Sequence, residues 1–352
     1  MIMKIIIFAG GAGTRLWPLS RRNSPKQFGF IVGKKSTLQM AVDRVRSYGL
    51  DNIYISTNEN YADTVRAQVP ELSEKNLLTE PAKRDLAAAV ALALWRLKDT
   101  GYSGAVAVLW ADHLMEREDN FVLALQKARE LVNKNTGQIV FLGEKPRFAN
   151  HNLGWIKLGR QKKDNEYEFL AWRYRPELAE CRAMFESGAW VWNPGYFVFD
   201  IDFVLELYQK FMPEMYQQVK AMSGDEKMIK EKYHTLEMAS FDSAILEKIE
   251  KNQATALKVD LGWSDPGTLY ALKEALAPEI EKNCEQGLVL AHDTRDSLIC
   301  NEDRDKLLAV VGLEGMVVVN TKDAMLVCHK DDVPKVKELL EKIEQKGLDK
   351  YL

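Results

Sequence analysis

The chain has 352 residues, with 48 Lys and Arg against 51 Asp and Glu and a formal net charge of −3. This length exceeds what one hydrophobic core usually occupies, so we expect two domains of unequal size. The near balance of charge, without a long block of one sign, argues against a nucleic-acid or membrane surface. No apolar run approaches the roughly 20 residues of a membrane helix, and the 4 cysteines form neither a metal motif nor a disulfide framework. We therefore expect a soluble, cytoplasmic protein with reduced thiols.

Short apolar runs alternate with helical patterns over the first 150 residues. The runs include "KIIIFAG", "DNIYIST", "SGAVAVLW" and "QIVFLG". Continuous apolar residues without in-out alternation are typical of strands buried on both faces, as in a parallel sheet covered by helices. We predict an open, mostly parallel α/β sheet, with a helix over 81–98 whose first turn contains Pro81.

The pattern of residues changes three times further along the chain. Residues 144–200 are β-rich, residues 201–250 are mostly helical, and five short β-like runs follow residue 277, closed by an amphipathic helix at 333–346. We predict a large α/β domain over 1–277 and a small β-rich domain over 278–352.

The first strand runs directly into a glycine-rich turn, Gly10-Gly11-Ala12-Gly13. In open α/β sheets ligands lie beyond the carboxyl ends of the strands, and glycines let backbone N–H groups approach an anion. Leu16 occupies the third glycine position of the dinucleotide fingerprint, and the G-K-[ST] of the Walker motif is missing. Arg15 and Lys26 suit phosphate oxygens. The alternative is a tight turn flanked by two solvated cations.

Two stretches in this region, "FAGGAGTRLWPLS" (8–20) and "SPKQF" (24–28), resemble the signature of sugar-1-phosphate nucleotidylyltransferases, in the form typical of mannose-1-phosphate guanylyltransferases. The resemblance extends over nearly the whole chain. It includes "TEPAKRD" (79–85), "ADH" (111–113), "GEKP" (143–146), "SGAWVWNPGYFVFD" (187–200), "FDSAILEK" (241–248), "LGWSDPGTLYAL" (261–272) and a tail like the family's short β-helix. It implies a Rossmann-like nucleotidyltransferase domain followed by a β-helix-like domain.

The resemblance also implies a reaction. GMP would pass from GTP to mannose 1-phosphate, giving GDP-mannose and pyrophosphate, by direct attack on the α-phosphate with Mg²⁺ as cofactor. Arg15 and Lys26 would be the catalytic cations on the triphosphate, and Gly10, Gly11 and Gly13 would lie against the nucleotide.

In the family, aspartates at the places of Asp112 and Asp265 hold the metal ion. Mg²⁺ prefers oxygen ligands, usually one or two carboxylates completed by phosphate and water. Taken alone, Asp112 could be a helix cap and Asp265 a turn residue. Because Mg²⁺ prefers oxygen, we expect the neighbouring His113 to be a structural hydrogen-bonding residue rather than a ligand.

Glu80 and Arg84 are the candidates to contact guanine and ribose, although such charges also suit a helix start. The chain departs from the family just after them, because Leu86 and Ala88 stand where the family has Thr and Pro. Contacts near the base can therefore differ from those of the family.

Gly154, Arg175 and Asn193 are the candidates on the sugar-phosphate side. Leu153 and Tyr174 replace a tyrosine and an acid of the family here, so the identity of the hexose stays open. Four tryptophans in the same region could stack on a sugar ring or pack in the core, which is their commoner use: Trp155, Trp172, Trp190 and Trp192.

Other functions stay open at this point. The same reaction with another sugar phosphate or base is one, and a non-catalytic regulatory homologue that only binds a nucleotide sugar is another. A nicotinamide-dependent oxidoreductase is disfavoured by Leu16. A homodimer is one expected assembly.

Overall fold

The computed structural model describes residues 2–11, 14–21, 25–29, 35–277, 279 and 281–352. The backbone forms two compact units. The first comprises Met1–Gly10, Ala41–Ala111 and Met115–Trp263, and the second comprises Gly11–Met40, Asp112–Leu114 and Ser264–Leu352. The boundary predicted from sequence between 277 and 278 stays a prediction. No helix in these described ranges is both long enough and apolar enough to cross a membrane.

One ten-stranded sheet organises the first unit. Its strands are β1 Lys4–Phe8, β2 Ile53–Asn58, β3 Leu77–Glu80, β4 Ala105–Trp110, β5 Ile139–Glu144, β6 Gly154–Lys163, β7 Glu166–Tyr174, β8 Trp190–Asn193, β9 Phe197–Asp200 and β10 Ala254–Val259. Strands β3, β2, β1 and β4 lie side by side and parallel. Phe8 pairs with Trp110, so β1 and β4 end at the same edge of the sheet.

The sheet is mixed rather than mostly parallel. Strand β9 runs antiparallel between β4 and β5, while β6 pairs antiparallel with β7 and β8. Strand β10 pairs with both β5 and β7, so that β5, β8, β6, β7 and β10 close on themselves. Every antiparallel pair in this sheet includes a strand from the β-rich stretch at 144–200, where short connections such as the one between β6 and β7 replace the long crossovers of parallel strands.

Nine α-helices lie within the first 250 described residues: α1 Thr37–Val45, α2 Ala62–Gln68, α3 Asp85–Asp99, α4 Glu118–Lys134, α5 Leu178–Glu186, α6 Ile201–Phe211, α7 Pro213–Met222, α8 Glu226–Lys232 and α9 Phe241–Ala244. The predicted start of α3 at Pro81 is wrong. The helix begins at Asp85, and the N–H of Ala87 donates to the carbonyl of Ala239 at 3.0 Å. A partner more than 150 positions away thus satisfies the first turn, which local sequence cannot indicate.

The C-terminal part of the second unit is β-rich, as predicted. It contains α10 Leu269–Leu276, then β11 Cys284–Gln286, β12 Val289–His292, β13 Leu298–Asn301, β14 Leu308–Val311, β15 Met316–Asn320 and β16 Met325–His329, and finally α11 Val336–Gln345. Strands β11, β13 and β15 stack in parallel, as do β12 and β14, and β16 closes the first set antiparallel. A 3₁₀ helix, Lys330–Lys335, precedes α11.

Candidate active site

The turn after β1 has room beside its backbone. Gly11 has φ +98°, a conformation that favours glycine, and the side-chain amide of Gln27 donates to its carbonyl at 3.1 Å. A Cβ added at Gly10 or Gly11 would meet no described atom within 4 Å. Crowding by the described protein atoms therefore does not explain the glycine at position 10, whereas close approach of a ligand would. Gly13 lies outside the described residues.

Lys26 lies between the two predicted metal-binding carboxylates, all within the second unit. Its Nζ is 2.7 Å from Asp112 Oδ2 and 3.2 Å from Asp265 Oδ1. Only 8% of Lys26 is exposed. Burial alone would lower the pKa of Lys26, but Asp112 and Asp265 raise it above its ordinary value. The ammonium group is therefore charged at neutral pH.

The backbone brings the two aspartates together through a short antiparallel bridge. The N–H of Leu114 donates to the carbonyl of Ser264, and the N–H of Ser264 donates to that of Leu114, each at 3.0 Å. Asp112 lies two residues before this bridge and Asp265 one residue after it. Two segments about 150 positions apart thus have a set register, which positions both carboxylates.

Arg15 and His113 also influence the carboxyl group of Asp265. Arg15 is exposed in a 3₁₀ turn, Thr14–Leu16. Burial would raise the pKa of Asp265, but Lys26, His113 and Arg15 together lower it. His113 is buried, with Nε2 at 3.9 Å from Asp112 Oδ1.

The oxygen donors suit Mg²⁺ as part of a shared site. The described residues contain no cluster of three or more His, Cys, Asp or Glu side chains arranged to hold a metal ion. Mg²⁺ usually takes one or two carboxylates and completes its shell with substrate phosphate and water. Asp112 and Asp265, which already share one cation in Lys26, provide such a pair.

In the first unit, the three predicted sugar-side residues lie close together. Gly154 pairs with Asn193 on β8 and with Tyr174 on β7. The N–H of Arg175 donates to the carbonyl of Leu153 at 3.2 Å, and its guanidinium lies 5.1 Å from the centroid of the Tyr174 ring. The side-chain carbonyl of Asn193 accepts the N–H of Gly195 at 2.9 Å. The fold thus assembles residues that the sequence separates by about 40 positions.

Glu80 and Arg84 also belong to the first unit, but Glu80 points toward protein groups. Its carboxylate accepts a hydrogen bond from the hydroxyl of Tyr233 at 2.5 Å. Burial raises the pKa of Glu80 to about 7, although hydrogen bonds from Tyr233 and Ser56 oppose the shift. The Nε of Arg84 is buried without a hydrogen-bond partner in the described structure. Contact of either residue with a nucleotide stays a prediction.

Glu144, the last residue of β5, was noted in the sequence only as part of "GEKP" and was given no role. Its side chain is completely buried, and its two oxygens accept the N–H groups of Leu261 at 2.9 Å and Trp263 at 3.2 Å. Burial raises the pKa of Glu144 to about 7, opposed by these two hydrogen bonds and by Arg147. Glu144 therefore fixes the segment that leads into Asp265. The available signal was a carboxylate at the end of a wholly apolar run.

Two of the four clustered tryptophans are core residues. Trp155 is 0% exposed and Trp192 is 1% exposed, and their rings meet edge to face with centroids 6.3 Å apart. Neither ring presents a face on which a sugar could stack. Trp172 and Trp190 are partly exposed.

The chain belongs to the nucleotidyl transferase family. The family model described as "Nucleotidyl transferase" matches residues 4–282, and the model described as "MannoseP isomerase/GMP-like beta-helix domain" matches residues 287–343. The predicted fold class, an α/β domain followed by a β-helix-like domain, is confirmed, and the protein is an enzyme of the nucleotidyltransferase class.

Two named relatives and one crystal structure are similar to this chain over nearly its whole length. Mannose-1-phosphate guanylyltransferase 2 of Escherichia coli O157:H7 is 31% identical over 365 residues, covering 99% of this chain and 74% of that protein. Mannose-1-phosphate guanylyltransferase of Salmonella montevideo is 32% identical over 362 residues, covering 99% and 75%. The crystal structure described as mannose-1-phosphate geranyltransferase from Thermus thermophilus matches with a TM-score of 0.88 at 27% identity, covering 98% of this chain and 100% of that one.

Proposed function

We propose that this enzyme transfers GMP from GTP to mannose 1-phosphate, forming GDP-mannose and pyrophosphate in the cytoplasm. The names of its relatives support the substrates. The observation that carries the chemistry is the contact of one buried lysine with two carboxylates beside an exposed arginine. Such a group can neutralise a triphosphate and share a metal ion with it.

The attacking group would be a phosphate oxygen of the sugar phosphate itself. Two anions must approach each other, so the protein mainly needs to neutralise charge and to orient the reactants. Arg15 and Lys26 would hold the triphosphate, and Asp112 and Asp265 would hold Mg²⁺. When bound, the ion supplies positive charge to the phosphate oxygens.

Arg175 would bind the phosphate of the incoming sugar. Its guanidinium offers a planar fork suited to phosphate oxygens. The adjacent Tyr174 is 60% exposed and stands where the family has an acid, so this side favours a second candidate, the same reaction with another sugar phosphate. A purely regulatory homologue would have no need for all four charged groups, Arg15, Lys26, Asp112 and Asp265.

A panel of sugar 1-phosphates against the four nucleoside triphosphates, with Mg²⁺ and scored by pyrophosphate release, tests the proposal. We expect GTP with mannose 1-phosphate to give the highest kcat/KM. A different preferred pair would correct the specificity. No release with any pair would favour the regulatory homologue.

Kinetics test the direct attack. Both substrates must be bound together, so initial rates should show a sequential rather than a ping-pong pattern. Exchange of labelled pyrophosphate into GTP without any sugar phosphate would indicate a nucleotidylated enzyme and would contradict direct attack.

A further inference from the structure

The residues that follow Arg15 belong to the core of the β-rich part of the second unit. Leu16 is 0% exposed and Trp17 is 6% exposed. Both pack in one apolar cluster with residues of the C-terminal strands, which include Leu298, Val317 and Leu326. The turn that would bind the triphosphate is thus packed against residues about 300 positions further along the chain.

Two polar side chains of the same segment contact residues near position 351. The indole N–H of Trp17 donates to the carbonyl of Tyr351 at 2.7 Å, and the guanidinium of Arg21 donates to the same carbonyl. Arg21 also pairs with Asp323 at 2.7 Å and donates to the hydroxyl of Thr321 at 3.3 Å. Only 16% of the Arg21 side chain is exposed. Because Trp17 and Arg21 both donate to the carbonyl of Tyr351, the segment 17–21 is held at both of its ends.

The aspartate segments share this anchorage. Leu114, two residues after Asp112, and Leu269, four residues after Asp265, pack in the same apolar cluster as Leu16. Arg15, Asp112 and Asp265 therefore each lie within four residues of a side chain buried in the C-terminal core. Movement of that core would move three charged groups together.

We infer that the C-terminal β-rich region is a positioning element for the reaction, and that Trp17 and Arg21, through Tyr351, hold Arg15 in place on the triphosphate. The inference rests on the proposed function. Neither Trp17 nor Arg21 touches a substrate in this role. Their effect should appear in kcat, because a displacement of about 1 Å in a positioned group can cost about 10²-fold in rate.

Two variants separate the anchor from the rest of the fold. Trp17→Phe keeps an aromatic ring in the core but removes the indole donor, and Arg21→Gln removes the guanidinium. Arg295→Gln is the matched control, because Arg295 makes an exposed ion pair with Glu314 at 2.8 Å in the same unit. Arg21→Lys, which keeps the charge facing Asp323, replaces Arg21→Gln if that variant does not fold.

The first readout is hydrogen exchange of the amides of Leu19 and Ser20, which both donate to the carbonyl of Leu16. Loss of one anchoring hydrogen bond should accelerate their exchange about tenfold. The second readout is kcat and KM for GTP and mannose 1-phosphate. We expect kcat to fall about 10²-fold with KM for the sugar phosphate unchanged, and wild-type values in the Arg295→Gln control.

Hydrogen exchange of Leu19 and Ser20 at the wild-type rate in both variants would contradict the inference that Trp17 and Arg21 anchor this segment. Faster exchange with an unchanged kcat would overturn its role in positioning. If the wild-type protein transferred no nucleotide to any sugar phosphate, the proposed function would fail, and the exchange rates alone would still decide whether the C-terminal region holds the segment after Arg15.

Discussion

Glu144 makes the stability of this protein depend on pH in a direction opposite to that of most carboxylates. Burial raises its pKa from an ordinary 4.5 to about 7. Between these two values the folded chain keeps a proton that the unfolded chain has lost, so the free energy of unfolding falls as the pH rises. One pKa unit corresponds to about 1.4 kcal/mol, so the whole shift is worth about 3 kcal/mol.

The Glu144→Gln variant removes this titration while keeping the shape of the side chain. At pH 4.5 the wild type should be more stable by about 1–3 kcal/mol, because the hydroxyl oxygen of the protonated carboxyl can still accept an N–H from Leu261 or Trp263, whereas the amide NH₂ of the variant cannot. The advantage should decrease by about 3 kcal/mol by pH 8 and can reverse sign. Glu80 and Asp242, whose pKa values burial also raises, are present in both proteins and cancel.

Urea unfolding of both proteins at several pH values and constant ionic strength measures the difference. Glu71→Gln is a control of opposite sign. A hydrogen bond from Arg46 lowers the pKa of Glu71. The stability of the wild type relative to Glu71→Gln should therefore increase as the pH rises. A difference between wild type and Glu144→Gln that does not change with pH would refute the reasoning.

Two further predictions concern the site, and a third concerns crowding at a glycine. Asp265→Asn should lower kcat about 10²–10³-fold and weaken binding of Mn²⁺, measured by electron paramagnetic resonance, and full turnover of wild type in EDTA would contradict a metal requirement. Arg15→Ala should lower kcat, whereas Arg175→Ala should chiefly raise KM for the sugar phosphate; an undiminished kcat in Arg15→Ala would remove that residue from the mechanism. Gly195→Ala should be about 1–3 kcal/mol less stable in urea than Gly188→Ala, because both have positive φ but only at 195 would a Cβ lie 2.6 Å from an indole nitrogen. Equal stability of the Gly195→Ala and Gly188→Ala variants would contradict crowding at position 195.

Features encoded by neighbouring residues were predictable from sequence. The apolar runs correspond to β1, β2, β4 and β5, and the five runs after residue 277 correspond to β12–β16. The glycine turn after β1 and the order of the motifs indicated the nucleotidyl transferase family, which the family match confirms. Such signals depend on side-chain periodicity and turn chemistry within a few positions.

Other features depended on partners far away in the chain. The first turn of α3 depends on the hydrogen bond from the N–H of Ala87 to the carbonyl of Ala239. Strand β9 lies antiparallel between β4 and β5 because it pairs with both of them. Burial separated the two core tryptophans, Trp155 and Trp192, from those that stay partly exposed. The residues next to α3, β9 and the tryptophans in the sequence do not show which distant residues these elements contact.

The sequence by itself indicated which charged residues to propose for the chemistry, because Arg15 and Lys26 come after the glycine turn where ligands of α/β proteins lie, and Asp112 and Asp265 match places that hold the metal ion in the family it resembles. Only the tertiary structure decided that Lys26 bridges both aspartates, that Glu144 fixes the segment before Asp265, and that Arg21 contacts Tyr351. The physical reason is that contacts between segments so far apart in the chain form only when packing of the whole chain offsets the entropy of closing the loop.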